Sequence, residues 1–555
     1  MNIIKSFINK NDEYKFIKET ADCSKKTFYR ISYEDKIIDQ ILVQITKVND
    51  DFDEYFDNEY TNLSQYDYFK SIFQLLQNTI GNTPKIIDYN DNFGLVLMEY
   101  IGNTQLKELA DKDLMYMKSI DWLIKLNKLN TDIKMRNFGP LSLKKEVDNF
   151  MNWVCNFMTQ TDKYAFMNEL ITQIKIINKF KKGLCHRDFQ ARNIMCYNDD
   201  IYIIDVQDMC YGPYLYDLAC LLYDSNNIID SNQILNYAKH YYDNTDNNIE
   251  FDEFYKQVKL LGLFRIFKSY STHMKYFVRN NRLKSLDLIM NNKKLLEQFV
   301  EEFPFLNILN KYNFNVVILA AGKGSRMNTN IPKTLCEINN KPMLFHILDK
   351  VIKLNPHKIV IVVGHKKEMI IEKLKEYPYK NIEFVEQTEQ LGTGHAVKVT
   401  KDILSDNNTD ALILFGDKPH MPYVLLKDLV ITHYKQNNDC TLVTYKDSMS
   451  HTKCGRVIRN NNKIIEIYED NNENYNSDEF SGGIHMFKCE PMFSALELIT
   501  NDNKQKEYYL CDIIKIIAQN GENINNVITT DKFGLLNVNT QTNLAQAFPD
   551  IRIPQ

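Results

Sequence analysis

The stretch from Val316 to Lys333, VVILAAGKGSRMNTNIPK, constrains the fold more than any other part of the chain. Its first four residues are apolar and mostly β-branched, which predicts a short buried strand. Gly322 and Gly324 follow closely, and glycines after a strand let backbone N–H groups approach a phosphate. Arg326 and Lys333 add positive charge around the same loop. The pattern predicts a nucleoside triphosphate site whose phosphates lie along this loop.

The loop matches neither a P-loop nor a dinucleotide-binding fingerprint. It lacks G-x-x-x-x-G-K-[ST], and no third glycine completes G-x-G-x-x-G. A strand followed by GxG alone is often only a tight turn. The longer pattern, LAAGKGSRM followed by Pro332-Lys333, is far more specific, and it resembles the signature of sugar-phosphate nucleotidyltransferases.

Length and composition limit the remaining possibilities. The 555 residues predict about two to four domains, and the net charge of −5 gives no electrostatic reason to bind nucleic acid or an anionic membrane. The 11 cysteines form no C-x-x-C pair, which indicates reduced thiols. There is no signal-peptide pattern, and no apolar run approaches the ~18 residues that span a bilayer. We expect a soluble cytoplasmic protein with small-molecule partners, and the oligomeric state stays open.

The most informative run of the first half is LCHRDFQARNIMCYNDDIYIIDVQD. The triplet HRD, which ends at Asp188, and Asn193 have the spacing H-R-D-x-x-x-x-N of kinase catalytic loops. An apolar strand over 201–204 then leads to Asp205. Asp188 can accept a proton from an attacking hydroxyl, while Asn193 and Asp205 offer hard oxygen ligands for Mg²⁺ bridging ATP phosphates. The chain has no D-F-G and no A-P-E, which disfavours a protein kinase.

Together, HRDFQARNIM, IIDVQD and YGPYLYDLACLLYDS resemble the phosphotransferase family that includes aminoglycoside and choline kinases. The likeness is closest to the anomeric sugar kinases acting on N-acetylmuramate and N-acetylglucosamine, and it covers about residues 15 to 300. The resemblance implies a bilobal protein-kinase-like fold, with Asp188 as catalytic base and with Asn193 and Asp205 on Mg²⁺. It also favours a structural role for Asp217, holding the catalytic loop.

One position departs from the protein-kinase pattern. The predicted strand at 37–45 carries Gln44 where a protein kinase places its phosphate-pairing lysine. The identity of the cation that steadies the ATP phosphates is therefore open, and Lys25, Lys26 and Arg30 are the alternatives.

A polar segment follows Pro304 and interrupts the helical pattern. We therefore predict a kinase-like domain over 1–305, a linker over 306–314 and a nucleotidyltransferase domain over 315–555.

In the second half, apolar strands predicted at 358–363, 382–385, 411–415 and 441–444 alternate with helices. That alternation predicts an α/β fold with a mainly parallel sheet, whose ligands bind at the carboxyl ends of the strands. Glycines and polar residues follow several of these strands, and their convergence at one edge predicts a site. They are Gly364, Gln387, Gly392-Thr393-Gly394 and Gly416-Asp417.

The segments VVILAAGKGSRM, IPKTL, VVGH, EQTEQLGTGHAV, LFGDKPHM, CGRVIR, IIEIYEDNN and KEYYLCDII occur in the order found in bacterial N-acetylglucosamine-1-phosphate uridylyltransferases. This resemblance covers about residues 315 to 545 and implies a Rossmann-like nucleotidyltransferase (GT-A-like) α/β fold. The residues it implies for the triphosphate and its transfer are Gly322, Gly324, Arg326 and Lys333. Those implied for the uracil are Gln387, Gly392 and Thr393. Asp417 and Asn539 are implied for Mg²⁺, and Gly455 and Glu466 for the amino sugar.

Two departures leave the identity of the sugar open. Tyr468-Glu469 replaces the Lys-Asp of the family's I-V-E-x-K-D run, and Ser481 stands where the family has the asparagine of N-T-G. The family's acetyltransferase half, a left-handed β-helix of hexapeptide repeats, has no counterpart in this sequence. We therefore do not predict acetyl transfer.

The leading hypothesis is a bifunctional sugar-nucleotide salvage enzyme with Mg²⁺ as cofactor. Its first domain uses ATP to phosphorylate the anomeric hydroxyl of an N-acetylhexosamine, and its second converts the 1-phosphate and UTP to a UDP-sugar and pyrophosphate. One alternative is a choline kinase fused to a CTP:phosphocholine cytidylyltransferase, although EQLGTGHA and GPYLYDL disfavour it. Another alternative is that one half is catalytically inactive and regulatory, for which Gln44 is the only hint.

Overall fold

A computed structural model of the chain describes residues 14–19, 27–33, 36–44, 65–246, 248–327, 329–404, 409–447, 455–469, 477–540 and 542–543. Contacts divide the chain into two compact units. The first comprises Met1–Trp153, Met167–His273 and Leu288–Glu302, and the second Val154–Phe166, Met274–Asp287 and Phe303–Gln555. The predicted domain limits at residues 305 and 315 stay a prediction.

The first unit contains two sheets and a hairpin. Its strands are β1 (Tyr14–Glu19), β2 (Thr27–Tyr33), β3 (Lys36–Gln44), β4 (Ile86–Asn90), β5 (Leu95–Glu99), β6 (Arg136–Asn137), β7 (Lys182–Cys185), β8 (Ile194–Tyr197), β9 (Asp200–Ile203) and β10 (Cys210–Pro213). The first five form an antiparallel sheet in the order β1-β2-β3-β5-β4. The predicted strand at 37–45 is confirmed as β3. Three residues are candidates for the cation that replaces the phosphate-pairing lysine of protein kinases. Lys25 and Lys26 lie outside the described residues, and only the backbone of Arg30 is described, as is that of Gln44.

Helices follow this sheet, as expected of a kinase-like fold. Those between residues 65 and 297 are α1 (Gln65–Thr79), α2 (Asp113–Asn127), α3 (Pro140–Trp153), α4 (Gln160–Ile177), α5 (Tyr216–Leu222), α6 (Ser231–Asp243), α7 (Phe251–Asn280) and α8 (Ser285–Glu297). In α7, Phe254, Val258 and Leu261 recur every three or four residues and are buried, so this face packs into the core. Arg265, one turn after Leu261, lies on the same face and is only 5% exposed.

The second unit is an α/β domain. Its strands are β11 (Phe314–Leu319), β12 (Glu337–Ile338), β13 (Lys341–Pro342), β14 (Ile359–Val363), β15 (Ile382–Glu386), β16 (Asp410–Phe415), β17 (Cys440–Lys446), β18 (Arg456–Asn460), β19 (Lys463–Tyr468), β20 (Glu479–Phe487) and β21 (Ile524–Ile528). Its helices are α9 (Asn307–Asn310), α10 (Met343–Val351), α11 (Lys367–Leu374), α12 (Thr393–Lys398), α13 (Lys401–Leu404), α14 (Tyr423–Lys435), α15 (Cys489–Leu496) and α16 (Asp512–Gln519).

The main sheet has the order β15-β14-β11-β16-β20-β17-β21, with the β18–β19 hairpin attached to β20. The first four strands are parallel, as predicted, and β20 runs antiparallel to both β16 and β17. The chain moves from β11 to β14 and β15 on one side and then returns to β16 on the other. This reversal creates a switch point beyond the carboxyl ends of β11 and β16, where α/β sheets bind ligands. Among the described helices, none combines the length and apolar character needed to cross a membrane.

Candidate functional site

The HRD loop of the first unit begins where β7 ends, and two buried carboxylates hold its backbone. Asp217 accepts hydrogen bonds from the backbone N–H groups of His186 at 2.5 Å and Arg187 at 2.8 Å. Asp224 accepts another from Ala191 at 2.9 Å. Burial raises the pKa of Asp217 to about 6. The expectation that Asp217 holds the catalytic loop agrees with these contacts.

The β8–β9 hairpin places two predicted metal ligands at one end. Ile194 pairs with Ile203, so Asn193 precedes one strand and Asp205 follows the other. The backbone N–H of Ile204 donates to the carbonyl of Asn193 at 3.0 Å. The Nε2 atom of His186 lies 2.9 Å from the carbonyl of Ile204, which ties this end of the hairpin to the HRD loop.

Asp188 lies against Asn193, as the sequence predicts. The amide of Asn193 donates to the Asp188 backbone carbonyl at 2.8 Å and to its Oδ2 at 3.1 Å. Arg192 also donates to Oδ2 at 3.1 Å, and a guanidinium nitrogen of Arg265 lies 3.2 Å from Oδ1. Burial alone would raise the pKa of Asp188, but the guanidinium groups of Arg265 and Arg192 hold it well below its usual range.

Sequence reasoning missed Arg265. It lies on α7, far along the chain from the HRD loop, and no motif marks it. The signal available was a charged residue on the otherwise apolar face of a helix, because such a residue needs a buried partner. Its partner here is Asp188, the predicted base.

In the second unit, the loop after β11 meets the loop after β16. The Lys333 ammonium lies 2.6 Å from Oδ2 of Asp417 and 2.5 Å from Oδ1 of Asn539. Gly324 has φ +60°, and a Cβ atom added to it would lie 2.8 Å from the Cβ of Lys333. Three predicted residues from distant parts of the chain thus converge, with Gly324 packed against the lysine. Gly322 and Arg326 are exposed in the same loop.

Backbone contacts hold Asn539 in this cluster. The N–H of Val538 donates to the carbonyl of Asp417 at 2.9 Å. The buried ammonium of Lys418 donates to the carbonyl of Leu535 at 2.6 Å. Sequence reasoning gave Lys418 no role. The segment that carries Asn539 is therefore attached at two points to the end of β16.

The residues predicted for the uracil form a second cluster. Gln387 is 3% exposed, and its Nε2 donates to the carbonyl of Gly392 at 3.0 Å and to Nδ1 of His395 at 3.1 Å. The hydroxyl of Thr393 accepts a hydrogen bond from the backbone of Leu510 at 2.9 Å. A Cβ atom added to Gly392, whose φ is +110°, would lie 2.6 Å from the carbonyl oxygen of Tyr508. The segment around Tyr508 thus supports this loop, a role that sequence reasoning did not assign.

The two residues predicted to contact the sugar lie at the β18–β19 hairpin, and no contact between them is found among the described residues. Glu466 lies opposite Ile458 and pairs with Lys515 at 3.0 Å. Gly455 lies beside Glu469 instead, because a Cβ atom on the glycine would be 3.4 Å from Cγ of that glutamate. Glu469, one of the departures from the family pattern, thus lies beside Gly455 at the open end of the hairpin.

Family comparisons match both halves of the chain. The phosphotransferase enzyme family matches residues 59–251, and the nucleotidyl transferase family matches residues 315–538. The chain carries one domain of each family. The phosphotransferase domain holds the HRD loop, and the nucleotidyltransferase domain holds the Lys333 cluster.

Individual relatives resemble part of the chain. The bifunctional protein GlmU of Streptococcus uberis is 38% identical over 237 residues, covering 42% of this chain and 50% of that protein. The bifunctional protein GlmU of Lactococcus lactis subsp. lactis is 37% identical over 243 residues, 43% of this chain and 51% of that protein. The chain thus spans about half the length of the curated relatives it matches. A solved UDP-glucose pyrophosphorylase in complex with UDP-glucose aligns with 42% of this chain and 97% of its own, at 18% identity and a TM-score of 0.37.

Oxygen donors at both sites fit a magnesium ion. Oδ1 of Asp417 is buried and has no hydrogen-bond partner among the described residues, whereas its Oδ2 pairs with Lys333. An unpartnered carboxylate oxygen beside an amide oxygen is suited to a hard cation that takes its other ligands from phosphates and water. In the first domain, Asp205 and Asn193 offer the same pair of oxygen types.

Proposed function

We propose that the chain performs two consecutive transfers on one sugar. The phosphotransferase domain uses ATP to phosphorylate the anomeric hydroxyl of an N-acetylhexosamine, similar to N-acetylglucosamine. The nucleotidyltransferase domain then joins the 1-phosphate to a uridylyl group from UTP. The observation that supports this proposal is that Asp188 lies against Asn193 in one domain and that Lys333 contacts Asp417 and Asn539 in the other.

In the first reaction, the anomeric oxygen attacks the γ-phosphorus of ATP. The bond from that phosphorus to the β–γ bridging oxygen breaks, ADP leaves with the electron pair, and the hydroxyl proton passes to Asp188. An anomeric hydroxyl is more acidic than an ordinary sugar hydroxyl, which would ease its proton transfer to a carboxylate.

In the second reaction, a sugar-1-phosphate oxygen attacks the α-phosphorus of UTP. The bond to the α–β bridging oxygen breaks, and pyrophosphate leaves with the electron pair. Lys333 and Arg326 would stabilise the charge that develops on the phosphates, and Gly322 and Gly324 would let the backbone approach them. Gln387, Gly392 and Thr393 would orient the uracil.

Magnesium would be held by Asn193 and Asp205 in one domain and by Asp417 and Asn539 in the other. When bound, it neutralises phosphate charge and draws electron density from the phosphorus under attack. Gly455 and Glu466 would contact the amino sugar, with Glu469 beside the glycine as a further polar neighbour. UTP and an N-acetylhexosamine are proposed because the order of motifs resembles that of the N-acetylglucosamine-1-phosphate uridylyltransferases.

The test is to incubate the purified chain with N-acetylglucosamine, ATP, UTP and Mg²⁺ and to identify products by mass spectrometry. We expect a sugar 1-phosphate and a UDP-sugar. Asp188→Asn should abolish formation of the 1-phosphate and spare uridylyl transfer from supplied 1-phosphate. Asp417→Ala should do the reverse.

Matched controls are Asp148→Asn in the first domain and Asp502→Ala in the second, both exposed carboxylates in surface ion pairs. Both controls should keep both activities. Equal formation of 1-phosphate by wild type and Asp188→Asn would remove Asp188 from the kinase reaction. A CDP-choline product from parallel incubations with choline and CTP would replace the sugar hypothesis.

A further inference from the structure

Each oxygen of the Asp188 carboxylate already has two nitrogen groups within hydrogen-bond or ion-pair distance. Oδ1 accepts from the side-chain amide of Gln190 and faces Arg265 at 3.2 Å. Oδ2 accepts from Arg192 and from Asn193, each at 3.1 Å. Because a carboxylate offers about four lone-pair sites, a hydroxyl can reach this one only if a donor leaves.

Three of these donors are fixed by their surroundings. Gln190 is 2% exposed, and its carbonyl oxygen accepts a hydrogen bond from Asn226 at 3.0 Å. Asn193 is buried and also donates to the backbone carbonyl of Asp188. The guanidinium of Arg265 is buried on the core face of α7. Moving any of them would leave buried polar groups unpaired, which is costly.

Arg192 differs from the other three. Its side chain is 32% exposed, and it lies on a short turn, Ala191–Asn193, from which a long side chain can turn toward solvent. Its Nε is buried without a hydrogen-bond partner among the described residues, so the observed conformation does not satisfy the guanidinium. Arg192 is therefore the donor whose departure from Asp188 disturbs the fewest buried polar groups, so an arriving hydroxyl would displace it rather than the other three.

We propose that Arg192 occupies Oδ2 of Asp188 until an acceptor hydroxyl displaces it, and that its guanidinium then stabilises the phosphoryl group being transferred. The proposal rests on the kinase function proposed above. It gives Arg192 two states, one paired with the base and one paired with the ligand.

The chemical step is the transfer from ATP already described. The acceptor hydroxyl takes the place of Arg192 at Oδ2 and gives its proton to that oxygen as its own oxygen bonds to the γ-phosphorus. ADP departs with the electron pair of the broken bond. The released guanidinium lies within a side-chain length of the group on which negative charge accumulates, and its planar donors match phosphate oxygens.

The test is steady-state kinetics of sugar phosphorylation by wild type, Arg192→Met and Arg192→Lys. In Arg192→Met, the acceptor no longer competes with the guanidinium for Oδ2, so the KM for the acceptor should fall by at least about twofold. Loss of charge stabilisation should lower kcat on the order of 100-fold. Arg192→Lys should recover part of the lost kcat, because it keeps the charge and loses the planar fork.

The matched control is Lys144→Met, which removes another pair of residues four apart, Lys144 and Asp148 at 2.7 Å, in the same unit. It should leave both constants unchanged. The thermal unfolding midpoint of the kinase-like domain should match the wild type in every variant, which checks that this domain is folded, and uridylyl transfer from supplied 1-phosphate should be unchanged. If Arg192→Met is not folded, Arg192→Lys tests the proposal by itself. Its kcat for sugar phosphorylation must then be lower than that of the wild type, and its KM for the acceptor must not be higher.

Some results would overturn the proposal. A raised acceptor KM with unchanged kcat would make Arg192 a simple binding residue, and unchanged constants would remove it from the reaction. Absence of sugar phosphorylation by the wild-type chain contradicts the proposed kinase function itself, which separates the two failures.

Discussion

Two glycines of the loop after β11 give a sharp prediction, because a methyl group meets different surroundings at each. A Cβ atom added to Gly322 has no atom within 4 Å, and the residue does not have a positive φ. A Cβ atom added to Gly324 would lie 2.8 Å from the Cβ of Lys333, and φ there is +60°. The first change therefore tests ligand approach, and the second tests packing.

For Gly324→Ala, the left-handed backbone conformation costs about 1–2 kcal/mol and overpacking about 1–3 kcal/mol. The free energy of unfolding of the nucleotidyltransferase domain should fall by about 2–5 kcal/mol, and Lys333 should be displaced. For Gly322→Ala, the same free energy should stay constant or rise by about 0.4–1 kcal/mol, because the unfolded chain loses freedom.

The kinetic effect of Gly322→Ala should nevertheless be large. A methyl group in the open space of the loop would keep a backbone N–H from a UTP phosphate, and a hydrogen bond to a charged group contributes about 1.5–3 kcal/mol. The value of kcat/KM for UTP should therefore fall about ten- to a hundredfold. Pyrophosphate release measures this value, and urea unfolding measures stability. Unchanged kcat/KM in a stable Gly322→Ala variant would refute the assignment of this loop to the triphosphate.

Three further predictions concern stability and the two loops. Gly392→Ala should lower the free energy of unfolding by about 2–5 kcal/mol in urea titrations, because the methyl group meets the backbone of Tyr508 at a strained φ; an unchanged midpoint contradicts this. Asp217→Asn should leave a backbone N–H of the HRD loop unpaired, lower the free energy of unfolding by about 1–3 kcal/mol and slow sugar phosphorylation. Full phosphorylation activity in this variant would contradict a role of Asp217 in holding the HRD loop. Burial, aided by the charge of Lys418, lowers the pKa of His485 to about 4. The contribution of the neutral imidazole to the free energy of unfolding is therefore complete above pH 6.5, and that free energy should fall by about 3 kcal/mol toward pH 4. His485→Gln should flatten this pH dependence, and an equal slope in the variant would contradict the assignment.

Local sequence patterns predicted most of the secondary structure and the parallel part of the main sheet. The β-branched runs at 316–318 and 359–363 are buried in adjacent parallel strands, because alternation of strands and helices dictates a doubly covered sheet. The glycines and polar residues after those strands converge because carboxyl ends of parallel strands share one edge. Gly364 illustrates this, since a Cβ atom on it would meet the Ala321 carbonyl at 2.9 Å. The antiparallel insertion of β20 was not predicted, because strand order depends on long-range pairing.

The site was predictable where a motif joins residues close in sequence, and less so where partners come from distant elements. Asp188 and Asn193 belong to one motif and meet as expected. Arg265 reaches the same carboxylate from a helix with no sequence signature. Glu469 is another such case, because the register of the β18–β19 hairpin, not the motif, brings it to Gly455.

The central claim is that one domain makes the phosphate ester that the other consumes. The most direct measurement uses ATP labelled with ¹⁸O in its γ-phosphoryl group, together with unlabelled UTP and N-acetylglucosamine, followed by mass spectrometry of the UDP-sugar. The account predicts that the label lies in the nonbridging oxygens of the sugar-side phosphate and in the oxygen that bridges the two phosphorus atoms, and that the nonbridging oxygens of the uridine-side phosphate carry none. A UDP-sugar without label, or label released only as inorganic phosphate, would contradict it.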